Sequence, residues 1–387
     1  MPVRFRLPSC AALASLAAPV LAASPPVLGI PSAQDAPIAL LVDVSSGQTL
    51  FARDADRRFM PASMTKVMTT YLAFQRLNDG KLFQNQITAM RPDTFKRWGG
   101  VGSTMYLGAN MPVRIDELVH GVTTVSANDG AVVLAEAALG SVEAWVADMN
   151  RTARALGMRD SHFGTPNGWM DDGATFTTAR DLVTLGTAMI TRYPSYYHHF
   201  VGAPTFGFNG ILQRNHDPIS GVVPGADGIK TGFTNQAGYG FLGSAQRGGR
   251  RLMMVVATAP TGRARNNSAR ALLEWGFTAF DSRLVFPQNT VIGEVKVQDG
   301  GLRRVGLVPQ RPIRIAMPRG QRPKVSMRIA YVGPVRAPIR QGEPIAQLLI
   351  ALDGKQVSSL PLVAQTSVAR ATQLQRVFNG IAGWLPW

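Results

Sequence analysis

Apolar residues run from Ile38 to Val42, break at Ser45-Ser46-Gly47-Gln48 and resume through Thr49-Leu50-Phe51. An alternating stretch around a polar, glycine-containing break predicts a β-hairpin over residues 36–53. The period then changes. From Ser63 to Leu77 the apolar residues Met64, Val67, Met68, Tyr71, Leu72 and Ala73 recur at three- and four-residue spacing behind Pro61, which predicts a core helix. Similar spacing over 115–118, 131–138, 142–156 and 179–190 predicts a largely helical middle. Strand patterns return at 238–244 and 252–257, and a helix over 265–280 closes a unit spanning 30–281. Sequence-distant strands around a helical middle make this an α+β arrangement. From residue 285 the chain turns to Pro, Gly, Val and Ile in short alternating runs without a helical period, which predicts a small all-β domain over 285–363.

Both ends carry different patterns. Arg4 and Arg6 precede an apolar run from Cys10 to Ala22 that ends in small residues, the order of a secretory signal peptide cleaved after Ala22 or Ala23. The run is too short for the roughly 20 residues a membrane span needs. Residues 1–23 are therefore read as an export signal. At the other end, over 367–387, Val368, Ala371, Leu374, Val377, Phe378, Ile381, Trp384 and Leu385 form one apolar face. Arg370, Gln373, Arg376 and Asn379 lie opposite, and Trp384 and Trp387 suit a lipid-water boundary. This stripe predicts an amphipathic helix on the membrane surface.

The 387 residues carry 40 Lys and Arg against 24 acidic residues, a formal net charge of +16. That sign favours nucleic acid, anionic lipid or an acidic polymer. Export directs the charge to lipid head groups and wall polymer, and no Lys/Arg run interleaved with aromatics supports nucleic-acid binding. Cys10 is the only cysteine and leaves with the signal, so the mature chain has neither disulfides nor thiolate chemistry. The five histidines show no ligand spacing such as H-E-x-x-H, and no glycine loop suits a phosphate, so no metal or other cofactor is expected.

Three short segments carry candidate chemistry: Ser63-Met64-Thr65-Lys66, Ser126-Ala127-Asn128 and Lys230-Thr231-Gly232. A Ser and a Lys three apart on a helix share a face, which brings an amine to a hydroxyl that must lose its proton. The amine works only when neutral, so burial and a second cation must lower its pKa from about 10.4. Lys230 is the candidate second cation. Ser126 and Asn128 can point to one side from a loop before a helix, as hydroxyl and amide. Lys230-Thr231-Gly232 reads as an exposed strand along which a peptide can lie, with Gly232 permitting close backbone approach.

The motif set S-x-x-K, S-x-N and K-T-G resembles that of the penicillin-binding proteins and serine β-lactamases. Its context is similar to the low-molecular-weight D-alanyl-D-alanine carboxypeptidases: Pro61-Ala62-Ser63-Met64-Thr65-Lys66, Leu156-Gly157-Met158 with His162-Phe163, and Asp227 to Thr234. The likeness covers residues 30–280, and the β-domain and tail match the family's membrane-attached members. It implies an antiparallel sheet with helices, peptidoglycan stem peptides as substrate and β-lactams as covalent inhibitors. It further implies that Ser63 attacks the D-Ala-D-Ala carbonyl, Lys66 takes its proton and Ser126 delivers one to the departing D-alanine. Asn128 would hold the substrate amide, Lys230 and Thr231 would meet its carboxylate beside Gly232, and Ser63 and Phe233 N–H groups would form the oxyanion hole. Two positions depart from the pattern. Trp169 replaces a more usual Leu, and His216 stands where some relatives place an Arg and is expected to be a surface histidine.

A class A β-lactamase would need a Glu-x-x-Leu-Asn between the second and third motifs, and none occurs. An endopeptidase acting on cross-links would use the same residues. A wall-peptide-binding scaffold without turnover is disfavoured by intact Ser63, Lys66, Ser126 and Lys230.

Overall fold

The computed structural model describes residues 29–373 and Gln375. The predicted hairpin is present as β1 (Ile38–Asp43) and β2 (Gln48–Arg53), paired antiparallel. A 3-10 turn over Ala62–Thr65 runs directly into α1 (Lys66–Asn78). The helical middle comprises β3 (Ile87–Ala89), α2 (Pro92–Trp98), β4 (Pro112–Arg114), α3 (Ile115–Thr124), α4 (Asn128–Leu139), α5 (Val142–Leu156), α6 (Ala179–Arg192) and α7 (Pro194–Phe200). A hairpin of β5 (Thr205–Phe208) and β6 (Ile211–Arg214) follows. β7 (Ala226–Thr234), β8 (Gly238–Arg247), β9 (Arg250–Ala259) and α8 (Gly262–Thr278) complete the unit.

β1, β2, β7, β8 and β9 form one antiparallel sheet in the order β2-β1-β9-β8-β7. β1 explains the layering. Ile38 and Leu40 join a core with α1, α4 and α6, whereas Ala39 and Leu41 join a second core with α8, and all four are fully buried. A strand apolar on both faces must be covered on both, so the sheet lies between two helical layers. Local chemistry starts the helices: Ser141, Thr178 and Thr261 accept the N–H of Ala144, Asp181 and Ala264 at α5, α6 and α8. Each such cap contributes about 1 kcal/mol. β7 is left as a sheet edge, which is the position the peptide-strand reading requires.

The second unit holds β10 (Phe280–Phe286), β11 (Gly293–Gln298), β12 (Arg304–Val308), β13 (Ile313–Pro318), β14 (Val325–Ala330), β15 (Val335–Arg336), β16 (Pro344–Leu352) and β17 (Lys355–Ala364). Six of these strands form a sheet in the order β14-β16-β17-β12-β11-β15, and β10 pairs with β13. The turn of the first hairpin docks this unit. Gln48 donates to and accepts from the backbone of Ala316 at 3.0 and 2.6 Å, and Ser358 Oγ donates to Ser46 O at 2.6 Å.

The boundaries differ from those expected. β10 starts the second unit at Phe280, and the unit continues past residue 363 because Val368 bridges Ile339 and Arg370 bridges Gly300. Val368 and Ala371 are buried, Val368 in the β-domain core, so 367–371 is extended chain and not the start of an amphipathic helix. The remainder of that stripe, from Leu374 towards Trp387, falls beyond the continuously described chain. The signal-peptide segment also lies outside the described residues.

Candidate active site

The 3-10 turn presents Ser63 at the entrance to α1, and three residues on, Lys66 is completely buried. Lys66 Nζ lies 2.8 Å from Ser63 Oγ, 2.8 Å from Asn128 Oδ1 and 2.7 Å from the carbonyl oxygen of Asn167. A neutral amine has two N–H groups and one lone pair. Asn128 Oδ1 and Asn167 O are pure acceptors and take the two N–H groups, which leaves the lone pair for the Ser63 hydroxyl. Burial holds the Lys66 pKa well below its usual value, and the charge of Lys230 lowers it further, while Asp129 acts in the opposite direction.

Ser126 and Asn128 arrive on the connection between α3 and α4. Ser126 has φ +63°, a region costly for a residue with a β-carbon, and its buried hydroxyl has no hydrogen-bond partner among the described residues. Asn128 is the first residue of α4 and donates from Nδ2 to Val101 O at 3.0 Å. Asp129, fully buried, accepts from Thr104 Oγ1 and from the N–H groups of Met105 and Leu107, each N–H bond 3.1 Å long. It ties the loop at 104–107 to the start of α4.

β7 brings the third motif against the turn that carries Ser63. A β-carbon on Gly232 would lie 2.4 Å from Pro61 O and 3.2 Å from Met64 N, so close approach requires glycine at this position. Lys230 and Thr231 are buried on the same strand, and Phe233 is 46% exposed. Burial and the Arg265 charge lower the Lys230 pKa to about 7, against a raising influence from Asp217. Lys230 is thus poised to gain or lose a proton near neutrality.

These elements frame a cavity of about 540 Å³ whose lining includes Ser63, Asn128, Trp169, Gln213, His216 and Phe233. Ser63, Asn128 and Phe233 face it directly. Lys66 and Gly232 contact the turn that carries Ser63, and neither they nor Ser126, Lys230 and Thr231 line the cavity. His216 is an exposed residue, as expected of a surface histidine, and it also lines the cavity, where desolvation followed by the charges of Lys230 and Arg265 lowers its pKa.

Sequence reasoning did not anticipate Arg265, on α8, as a cation acting on Lys230, or Gln213, whose Nε2 donates to Thr104 O at 3.1 Å. A signal for Gln213 existed. Asn209 and Gly210 both have positive φ, 47° and 74°, and Asn-Gly between apolar residues marks a two-residue hairpin turn. That hairpin, β5-β6, carries Gln213 to the cavity and leads to His216. Trp169 was noted as unusual, and its contacts are now specific: it meets Trp98 edge-on at 6.0 Å and presses on Gly102, where a β-carbon would lie 2.7 Å from its ring.

The D-alanyl-D-alanine carboxypeptidase family model matches residues 22–261, and the model of the C-terminal domain of penicillin-binding protein 5 matches residues 280–370. This chain belongs to the D-alanyl-D-alanine carboxypeptidase family. A D-alanyl-D-alanine carboxypeptidase (DacA) of Haemophilus influenzae is 32% identical over 349 residues, covering 89% of this chain and 87% of the relative. The DacC carboxypeptidase of Escherichia coli is 31% identical over 369 residues, covering 94% and 92% of the two chains. Among solved structures, penicillin-binding protein 5 from Haemophilus influenzae superposes with a TM-score of 0.74 at 32% identity, over 88% of this chain and 99% of that one. Penicillin-binding protein D2 from Listeria monocytogenes, in its ampicillin-bound form, matches with a TM-score of 0.57 at 29% identity, over 63% of this chain and 98% of that one. This family member therefore has both a carboxypeptidase catalytic unit and a penicillin-binding-protein-5 type β-domain.

Proposed function

We propose that the chain is a serine-type carboxypeptidase that hydrolyses the terminal D-Ala-D-Ala bond of peptidoglycan stem peptides and is acylated by β-lactams. The observation that carries this reading is the 2.8 Å contact between Ser63 Oγ and a buried Lys66 amine held towards its neutral form. Ser63 Oγ attacks the penultimate D-Ala carbonyl as its proton passes to Lys66 Nζ. The oxyanion forms at the N–H groups of Ser63 and Phe233, a contribution of roughly 3 kcal/mol per donor in comparable enzymes. Collapse breaks the C–N bond, and Ser126 Oγ, buried and without a hydrogen-bond partner among the described residues, passes a proton to the departing D-alanine nitrogen. Water then cleaves the Ser63 ester and releases the shortened peptide.

Binding follows the same geometry. Asn128 holds a substrate amide, the extended peptide lies along the free edge of β7, and Lys230 and Thr231 meet the terminal carboxylate beside Gly232. The carboxylate raises the Lys230 pKa on binding, so the cation is recruited by its own ligand. The named carboxypeptidases at 31–32% identity, which cover about nine-tenths of this chain, support the substrate assignment. The signal-like first 23 residues support export, and the basic excess suits anionic lipid at the outer face of the inner membrane. Peripheral attachment falls to the apolar stripe beyond Ala371.

The test is intact-mass spectrometry of the mature chain with benzylpenicillin, alongside D-alanine release from a stem pentapeptide. A stable adduct mapped to Ser63, with D-alanine released, is expected. An adduct elsewhere, or D-alanine release that persists in Ser63→Ala, overturns the mechanism.

A further inference from the structure

A second cavity lies between the two units, away from the catalytic cavity, with a volume of about 450 Å³. The catalytic-unit wall includes Ser45 from the β1-β2 turn, Thr191 from the end of α6, and Gln246 and Arg251 from β8 and β9. The opposite wall comes from the β-domain and presents Arg311 and Arg314 on the segment entering β13. No aspartate or glutamate lines it.

The three arginines are not equivalent. Arg251 is buried and already committed, donating to Asp227 Oδ2 at 2.7 Å, Ser244 Oγ at 2.6 Å and Gln246 Oε1 at 2.7 Å. Arg311 and Arg314 have no carboxylate or carbonyl partner among the described residues. Arg314 is half-buried on β13, whose neighbour Ala316 is clamped by both hydrogen bonds of Gln48, so this guanidinium is carried by a fixed strand. A guanidinium nitrogen of Arg314 lies 3.6 Å from where a β-carbon on Gly249 would sit, which places its head at the catalytic-unit wall. Arg311 is exposed at the cavity, and partial desolvation there lowers its pKa.

Two guanidinium groups without a carboxylate partner, Arg314 half-buried and Arg311 exposed, line one wall opposite Ser45, Thr191 and Gln246 and form a receptor for an anion. Each guanidinium offers a planar fork to two oxygens, so two forks suit a group with three or four oxygens better than a carboxylate with two. We propose that this interdomain cleft binds a phosphate-bearing anion between Arg311 and Arg314. The ligand is either free phosphate or the phosphodiester of a phospholipid head group, since both present a tetrahedral anion, the first with four terminal oxygens and the second with two terminal and two ester oxygens. Because the walls belong to different units, occupancy would also fix the angle between them.

Calorimetric titration of the full mature chain with inorganic phosphate and, separately, with glycerophosphoglycerol tests this, with ionic strength held constant by chloride. Saturable binding of one ligand per chain, weakened at least tenfold in the R311Q/R314Q double variant, is the expected result. The tighter of the two ligands identifies the source as soluble phosphate or lipid head group. Benzylpenicillin acylation, which uses neither arginine, should remain unchanged in the variant and reports that it is folded. Absence of saturable binding, or equal binding by the variant, overturns the site. So does an equal loss of thermal stability with and without phosphate, which would mean that the arginines act only in packing the two units together.

Discussion

A β-carbon built on Gly168 would lie 1.9 Å from the carbonyl oxygen of Ala62, the residue immediately before the Ser63 nucleophile. Gly168 also has φ +73° and follows Asn167, whose carbonyl oxygen accepts from Lys66. One glycine therefore lets two catalytic segments touch: the turn that carries the hydroxyl and the loop that directs the amine. Gly168→Ala pays about 1–3 kcal/mol for backbone strain alone and must also displace one of those segments. We expect a lowered melting temperature together with at least a tenfold slower benzylpenicillin acylation, measured by stopped mass spectrometry. A variant that lost stability but acylated at the wild-type rate would show that the contact is structural only.

Removing the nucleophile and removing the base should be distinguishable. Ser63→Ala abolishes adduct formation and D-alanine release outright, a loss on the order of a millionfold in comparable serine hydrolases. Lys66→Arg keeps a cation but cannot supply a lone pair near neutral pH. It should bind a stem-peptide analogue while acylating at least a thousandfold more slowly. Recovery of most of the rate in Lys66→Arg would mean that charge, and not proton transfer, is the contribution of this residue.

Trp169 should matter to substrate choice more than to the chemical step. Its ring braces Gly102 and Trp98 beside Val101, whose carbonyl accepts from Asn128, and its other surface lines the cavity. Trp169→Leu leaves a void next to Gly102 at a cost of about 1–3 kcal/mol. We expect KM to rise several-fold for stem peptides and for β-lactams with bulky apolar side chains, with kcat changed less. Equal losses across substrates with small and large side chains would remove Trp169 from the specificity wall.

The parts of this site that were legible in the sequence are those whose geometry is local. Ser63 and Lys66 lie three apart, so helix geometry alone pairs them, and Gly232 sits inside a motif short enough to read. The helix limits were similarly legible where Ser141 and Thr178 cap them. What escaped was made by packing between distant segments: Arg265 reaches Lys230 from α8, and His216 reaches the wall from the end of a hairpin. The tail shows the converse. Val368 and Ala371 have helical spacing, yet both are buried against the β-domain, because an extended segment bridging Ile339 and Gly300 can also bury residues three apart.

The two lysines predict how activity and stability should depend on pH. Lys66 must be neutral to take the Ser63 proton, so acylation is lost as pH falls through its lowered pKa. Lys230 must be charged to hold a carboxylate, and it deprotonates at about 7 in the free protein, so KM for the peptide should rise on the alkaline side. The result is a bell-shaped kcat/KM whose alkaline limb belongs to Lys230 and moves upward in kcat, because bound carboxylate restores the proton. Stability has its own sign. In the unfolded chain Lys230 titrates at 10.5, so above about 7 the unfolded state binds the extra proton and folding is favoured as pH rises. The contribution is fully present above 10.5 and is lost as pH falls through about 7. Lys230→Met should therefore flatten the rise in melting temperature between about pH 7 and 9, a window set by the same shift. It should also remove the alkaline limb of kcat/KM. If the limb survives in Lys230→Met while the stability slope disappears, the carboxylate is held by another cation, and Arg265 becomes the residue to vary next.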